Sequence, residues 1–165
     1  MNERTASSYR AFGDPAQPPA VLIIGAIASM LWWPDEFCER LANRGRFIIR
    51  YDTATPATRR YMNTGNPLQD MADDAIRVLD GCGLSSAHVV GMPLGGMIAQ
   101  LAALNTRRVA SVTVISSSPF VEGNTDLPGV SPAYLDHLAQ FHEVNWTDRA
   151  EAIRFLVEDS RSISG

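Results

Sequence analysis

The place where this chain is best arranged to hold a reacting atom does not hold one. The stretch His88-Val89-Val90-Gly91-Met92-Pro93-Leu94-Gly95-Gly96 has the make-up of a buried strand that turns sharply through small residues into an apolar helix. That is the setting in which G-x-S-x-G lifts a serine hydroxyl to the end of a sheet. A serine, cysteine or aspartate at the third position can attack a carbonyl or alkyl carbon. The third residue here is Pro93, whose ring nitrogen lies in the peptide bond and offers neither a free lone pair nor an ionisable proton. The frame is kept and the nucleophile is not.

Proline also bears on the shape of the turn. A nucleophile turn is strained and commonly uses a left-handed backbone, whereas proline holds φ near about −65°. The turn is therefore expected to relax, with Met92 extended before it and Pro93 beginning the helix.

The elements that position this turn alternate between β and α. Four apolar runs, Val21–Ile24, Phe47–Tyr51, Ala87–Val90 and Val109–Ile115, are rich in β-branched residues and read as strands buried on both faces. Tyr9–Phe12 adds an edge strand before the turn Gly13–Pro19, giving five strands. Helices are expected from about Pro34 to Asn43, with Phe37, Cys38 and Leu41 on one face and Gly45 past its end, and from about Leu94 to Leu104, closed by a left-handed Asn105. The best-marked helix starts at Asn66-Pro67-Leu68-Gln69, where Asn66 can cap, Pro67 suits the first turn and Gln69 can close a capping box. Leu68, Met71, Ala72, Ala75, Val78 and Leu79 recur along it at threes and fours until Gly81 and Gly83 stop it. After Ser118-Pro119 the β pattern ends, and Pro132–Phe141 and Asp148–Val157 read as two short helices with a frayed polar end from Glu158 to Gly165. The expected architecture is α/β, a mostly parallel sheet of about five strands with helices on both faces. Residues 1–120 would form the core, with a helical segment over 121–165 in the same domain.

Composition narrows the function classes. The 165 residues are 45% hydrophobic and 19% charged, values of an ordinary globular domain, and 14 Lys and Arg against 18 Asp and Glu leave a formal charge of −4. No basic footprint for nucleic acid or anionic lipid follows from that balance. The first eight residues lack the apolar core of a secretory signal, and Ala20–Leu31 is too short to span a bilayer, so a cytoplasmic protein without a membrane span is expected. Cys38 and Cys82 have neither a C-x-x-C spacing nor further cysteines, which points to reduced, packed thiols. No His, Cys and carboxylate cluster has metal spacing, and no cofactor is expected. A dinucleotide fingerprint fails because Gly91–Gly96 does not match G-x-G-x-x-G, and a Walker loop fails for want of its lysine. Asn145-Trp146-Thr147 matches a glycosylation acceptor, but without a secretory signal it reads better as a helix start.

The order of parts resembles the N-terminal half of an α/β-hydrolase, nearest to esterases of the aclacinomycin methylesterase type, from about Phe12 to Pro119. The residues that carry the resemblance are Phe12–Pro15, Leu22–Gly25, Trp32–Phe37, Arg50-Tyr51-Asp52, Met71–Asp74 and the Gly91 turn. It implies a carboxylic ester substrate, small or hydrophobic. It also implies an oxyanion hole built from backbone N–H groups, one near Ala26 or Ile27 in the loop after Val21–Ile24 and one at Leu94. Such donors need no particular side chain and can outlast a lost nucleophile; the alternative is that Gly25-Ala26-Ile27 is simply a connecting loop. Met30, Trp32 and Met92 are expected to line an apolar pocket, with Leu31 and Trp33 beside it, although aromatic residues at a helix start equally serve as core.

Two departures from the family pattern set the expected activity. The resemblance requires an acid and a histidine after the nucleophile in chain order. The residues available are His137 and His142, with Glu122, Asp126 and Asp136, in the lid-like region where histidines more often pack than catalyse. The stretch Thr53–Thr58 also replaces the arginine- and glycine-containing loop that usually follows Arg-Tyr-Asp. No functional catalytic residue is therefore expected. The competing reading is a non-catalytic module that binds a small hydrophobic ester or acid in the inherited pocket, or another chain along the sheet edge at Val109–Ile115, a homodimer included.

Overall fold

The computed structural model describes residues 9–25, 28–53, 67–119 and 131–163. They fall into two compact units, Met1–Phe120 and Val121–Gly165.

The first unit is built on a five-stranded sheet. Its strands are β1 (Tyr9–Phe12), β2 (Pro19–Ile24), β3 (Phe47–Tyr51), β4 (Ala87–Met92) and β5 (Val109–Val114), in the order β1-β3-β2-β4-β5. β1 runs antiparallel to β3 and the other three pairings are parallel. Helices α1 (Asp35–Ala42), α2 (Pro67–Gly81) and α3 (Leu94–Asn105) connect the parallel strands. Parallel neighbours require such crossovers, and the two-faced burial of β2 and β3 is why both read as unbroken apolar runs.

Alternation along the strands divides the core in two. Val21 and Ile23, Ile49 and Tyr51, and Val89 pack with Ala72, Ala75, Val78 and Leu79 of α2 and with Ile98 and Ala99 of α3. Leu22, Ile24 and Ile48 pack on the other face with Phe12, Trp33 and Cys38. The repeat read along α2 is thus the stripe it buries. Its end follows the Schellman pattern: Leu84 N–H donates to Leu79 O at 2.9 Å and Gly83 N–H to Asp80 O at 3.0 Å, with Gly83 at φ +67°.

Arg50 is the unexpected core residue, fully buried in the middle of β3. Its guanidinium donates to Trp33 O and, at 2.5 Å, to Asp35 Oδ1, while Asp35 Oδ2 meets Arg10 at 2.7 Å. The Phe12 ring lies 5.1 Å from its Cζ. This pairing makes a buried cation tolerable in a strand that otherwise reads as apolar.

In the second unit, α4 (Pro132–Ala139) is capped by Ser131 Oγ, which accepts from Tyr134 N–H, and a 3₁₀ turn over Gln140–His142 follows. α5 (Arg149–Ile163) is capped by Asp148, whose Oδ1 accepts from Ala150 N–H at 2.8 Å. Phe141 and Phe155 are buried, and the His137 ring stacks on Phe155 at 4.3 Å.

Three local expectations need correcting. Helix α5 continues through Glu158 to Ile163 where fraying was expected; the hydroxyls of Ser160 and Ser162 turn back onto the carbonyls of Leu156 and Asp159 at 2.9 and 2.7 Å and so stay within the helix. Asn145-Trp146-Thr147, read as a helix start, instead forms a turn before the Asp148 cap, with Thr147 donating its hydroxyl to Asn145 Oδ1 at 2.6 Å. Asn105 is not left-handed: α3 ends by extension at Thr106, φ −153°, and the Asn105 side chain donates to Gln69 at 2.6 Å. The Asn66 cap lies outside the described residues.

Candidate functional site

The turn between β4 and α3 is drawn together by the absence of side chains. A Cβ on Gly91 would stand 2.0 Å from Gly95 O, one on Gly95 2.3 Å from Ile23 O, and one on Gly96 2.6 Å from the Ser117 side chain. Real Cβ atoms do not tolerate such separations, so glycine at all three positions lets the start of α3 lie against the ends of β2, β4 and β5. A sharp strand-to-helix turn needs that clearance.

At its apex Pro93 has φ −70° and ψ −49°, and its carbonyl accepts from Gly96 N–H at 3.0 Å. Met92 is still in β4. The left-handed conformation of a nucleophile turn is thus replaced by a helical one, as the ring demands. Among the described residues other than glycine, only Ser116 has a positive φ, 47°, just beyond β5.

The Leu94 amide opens α3, where N–H groups lack intrahelical acceptors and the helix end is electropositive. A Cβ on Gly25, at the end of β2, would lie 2.9 Å from Leu94 N and 3.2 Å from Pro93 Cδ. The loop leaving β2 therefore starts directly against the amide. Ala26 and Ile27, read as the other oxyanion donors, lie outside the described residues.

Of the residues read as a pocket, Met30 and Trp32 sit in a 3₁₀ turn over Met30–Trp32. Asp52, just after β3, accepts from Met30 N–H at 2.7 Å and pins that turn to the sheet. Trp32 is 51% exposed and Leu31 65% exposed, whereas Trp33 is buried and stacks on Phe37 at 5.6 Å. The pair of tryptophans thus divides between surface and core. Met92 is half-buried and packs against the Trp33 cluster. Two grooves among the described residues lie elsewhere, one between α2 and α3 and one along α5.

No histidine is placed to serve this turn within the unit that holds it. His88, read from the sequence only as part of a strand, lies toward the amino end of β4 and is hydrogen-bonded to Ser111 Oγ and, at 3.0 Å, to Thr113 Oγ1 of β5. Burial, and then the charge of Arg46, lowers its pKa from the ordinary imidazole value. His137 and His142 belong to the second unit. His137 lies between Phe155 and Asp159, 3.6 Å from its carboxylate, and His142 meets the Phe141 ring edge-on at 5.7 Å. Of the carboxylates, Asp136 accepts through its backbone carbonyl from Gln140 at 3.3 Å; Glu122 and Asp126 lie outside the described residues, as does most of Thr53–Thr58.

The alpha/beta hydrolase fold family model matches residues 19–147. The chain belongs to the α/β-hydrolase fold family. Among its relatives, rhodomycin D methylesterase DauP of Streptomyces sp. (strain C5) is 37% identical over 174 residues, covering 93% of this chain and 57% of the relative. Rhodomycin D methylesterase DnrP of Streptomyces peucetius is 35% identical over 185 residues, covering 99% and 61%. The chain therefore spans about three fifths of the length of these relatives. The crystal structure of a hydrolase from Pseudomonas aeruginosa PA01 superposes with a TM-score of 0.63 at 21% identity, over 83% of this chain and 49% of that one. A structure of carboxylesterases from Nitrososphaera gargenis gives 0.66 at 22% identity, over 93% and 56%. These likenesses carry the α/β-hydrolase fold alone. Among the described residues no helix is long and apolar enough to cross a membrane.

Proposed function

We propose that this α/β-hydrolase chain derives from a carboxylic ester hydrolase and does not itself turn over esters. The observation that carries the reading is Pro93 at φ −70° in a turn whose glycine clearances are kept. Ester hydrolysis by this fold needs a hydroxyl or its equivalent at that point, a base within reach of it, and donors for the oxyanion. The chain retains a donor of the last kind at Leu94, and Ala26 or Ile27 would supply the second. The ancestral substrate class is a carboxylic ester, in keeping with the methylesterase relatives.

A second reading rests on Trp32 and Leu31, which stand exposed on the turn pinned by Asp52. In that reading the inherited surface binds a hydrophobic ester or acid without reacting with it. Both are tested on this polypeptide. With a p-nitrophenyl ester it gives the uncatalysed rate, and a fluorophosphonate leaves no adduct beside Leu94. Turnover above background, or an adduct there, defeats the first reading. Pro93→Ser alone also gives no turnover, since it supplies a hydroxyl without a base: His88 is engaged by two hydroxyls of β5, and His137 packs on Phe155. A rise in melting temperature with hydrophobic acids, lost in Trp32→Ala, supports the second reading; no shift removes it.

A further inference from the structure

The chain that leaves β5 is bent against the first turn of α3. Ile115 N–H makes the last inward bond of the strand, to Gly91 O at 3.0 Å, and Ser116 then turns to φ 47°. A side chain resists that region, and among the described residues Ser116 is the only one other than glycine with a positive φ. Ser117, next along, lies against Gly96, where a Cβ would stand 2.6 Å from both the Cβ and the Oγ of the serine. The Ser117 hydroxyl is 3.5 Å from Ser118 O, too long a bond to hold the bend.

Gln100 supplies the hold. From the second turn of α3 its Nε2 donates to Gly96 O at 3.2 Å and to Ser118 O at 3.0 Å. A primary amide carries two N–H groups on one nitrogen, so a single side chain ties the helix turn to the chain beyond the bend. Both partners are carbonyl oxygens, which decides which end of the amide faces them. The bond to Gly96, four residues back on the same helix, orients the side chain, and the bond to Ser118 does the strapping. The bend is thereby held on both sides, by Gly91 before it and by Gln100 after it.

We infer that Gln100 is the positioning residue of the candidate site: its amide straps Ser116, Ser117 and Ser118 to the turn that presents the Leu94 amide and so fixes one wall beside it. Ile115 packs in the same cluster as Met92 and Trp33, so the wall is continuous with the turn that carries Trp32. Its use as a wall rests on the reading in which that surface binds a hydrophobic ester or acid. Every bond in the strap joins residues of β4, α3 and the end of β5, whatever lies on the far side of that strand.

Gln100→Met keeps the length of the side chain and removes both donors, whereas Gln100→Lys keeps donors on a flexible stem. Proton NMR of the full chain reads the contact through cross-peaks between the Ser117 side chain and the Gly96 α-protons. These are expected in the parent and in Gln100→Lys and are lost in Gln100→Met, with circular dichroism unchanged in all three. Methyl hexanoate, a neutral ester chosen so that the lysine charge does not attract it, reads the site. The rise in melting temperature it gives the parent should at least halve in Gln100→Met and return in Gln100→Lys. Cross-peaks that survive in Gln100→Met, or a Gln100→Lys variant that behaves like Gln100→Met, overturn the strap. A strap seen by NMR together with an equal ester response in parent and Gln100→Met overturns the positioning role. A parent without any ester response defeats the binding reading and the positioning role with it, while the cross-peaks still decide the strap.

Discussion

The carbonyl oxygen of Ile23 occupies the space that a side chain on Gly95 would need, 2.3 Å from the position of its Cβ. The first turn of α3 therefore rests on the backbone of β2, and the contact fixes where Leu94 presents its amide. Gly95→Ala must push the helix off the strand, because the obstacle is backbone and cannot rotate away. A loss of about 1–3 kcal/mol or more is expected, the range for overpacking a closed site, together with displacement of the Leu94 amide. Gly81→Ala, whose Cβ would meet nothing within 4 Å, is the control and should stay within about 0.5 kcal/mol. Denaturant unfolding of both variants checks the ordering; equal effects would mean that the close approach does not limit the fold.

Asp35 and Glu36 are adjacent acids with unequal consequences. Asp35 joins Arg10 to the buried Arg50, whereas Glu36, among the described residues, pairs with Arg40, with both side chains 77% exposed. Removing Asp35 leaves a guanidinium in the core that keeps Trp33 O as an acceptor but has lost its carboxylate. Asp35→Ala is expected to cost roughly 2–4 kcal/mol, reduced from the fully buried case because Asp35 is itself half-exposed. Glu36→Ala should cost under about 0.5 kcal/mol. Chemical denaturation measures both, and a Glu36 variant as unstable as the Asp35 one would contradict the buried pairing.

What the sequence made legible follows from which physical rules are local. The period of α2, the β-branched runs of β2 and β3 and the Schellman end at Gly83 depend on neighbours within a turn or two, and all appear where the pattern placed them. Pro93 was legible for the same reason, since its ring fixes φ whatever surrounds it. Arg50 was not, because its burial depends on Asp35 and a carbonyl fifteen and seventeen residues away. The division of Trp32 and Trp33 between surface and core was equally hidden, because composition alone cannot say which of two adjacent indoles a pinned turn directs inward. His88 read as an ordinary strand residue, and only the register of β4 on β5 brings it to Ser111 and Thr113.

Asp74 departs from the usual behaviour of a paired carboxylate. It is buried on α2 and bonded to Arg77, yet its pKa is raised: burial is the largest cause, Arg77 opposes it through its hydrogen bond and charge, and Asp70 and Asp73 add to the rise. The same burial, and then the charge of Asp74, pushes the Tyr51 hydroxyl far up, and that hydroxyl has no hydrogen-bond partner among the described residues. A carboxyl whose pKa is higher folded than unfolded holds its proton more tightly in the native state. Between the ordinary carboxylate value, about 4, and the raised one, stability therefore falls as pH rises. Above the raised value the group is ionised in both states and the full penalty is present. Asp74→Asn removes that penalty while keeping the shape of the side chain and an acceptor for Arg77. The variant is expected to melt at or above the temperature of the parent at pH 7, and the difference should shrink as the pH is lowered toward 4. Thermal melts of both proteins across that range provide the check; a parent clearly more stable than Asp74→Asn at pH 7 would show that the Arg77 pairing outweighs burial.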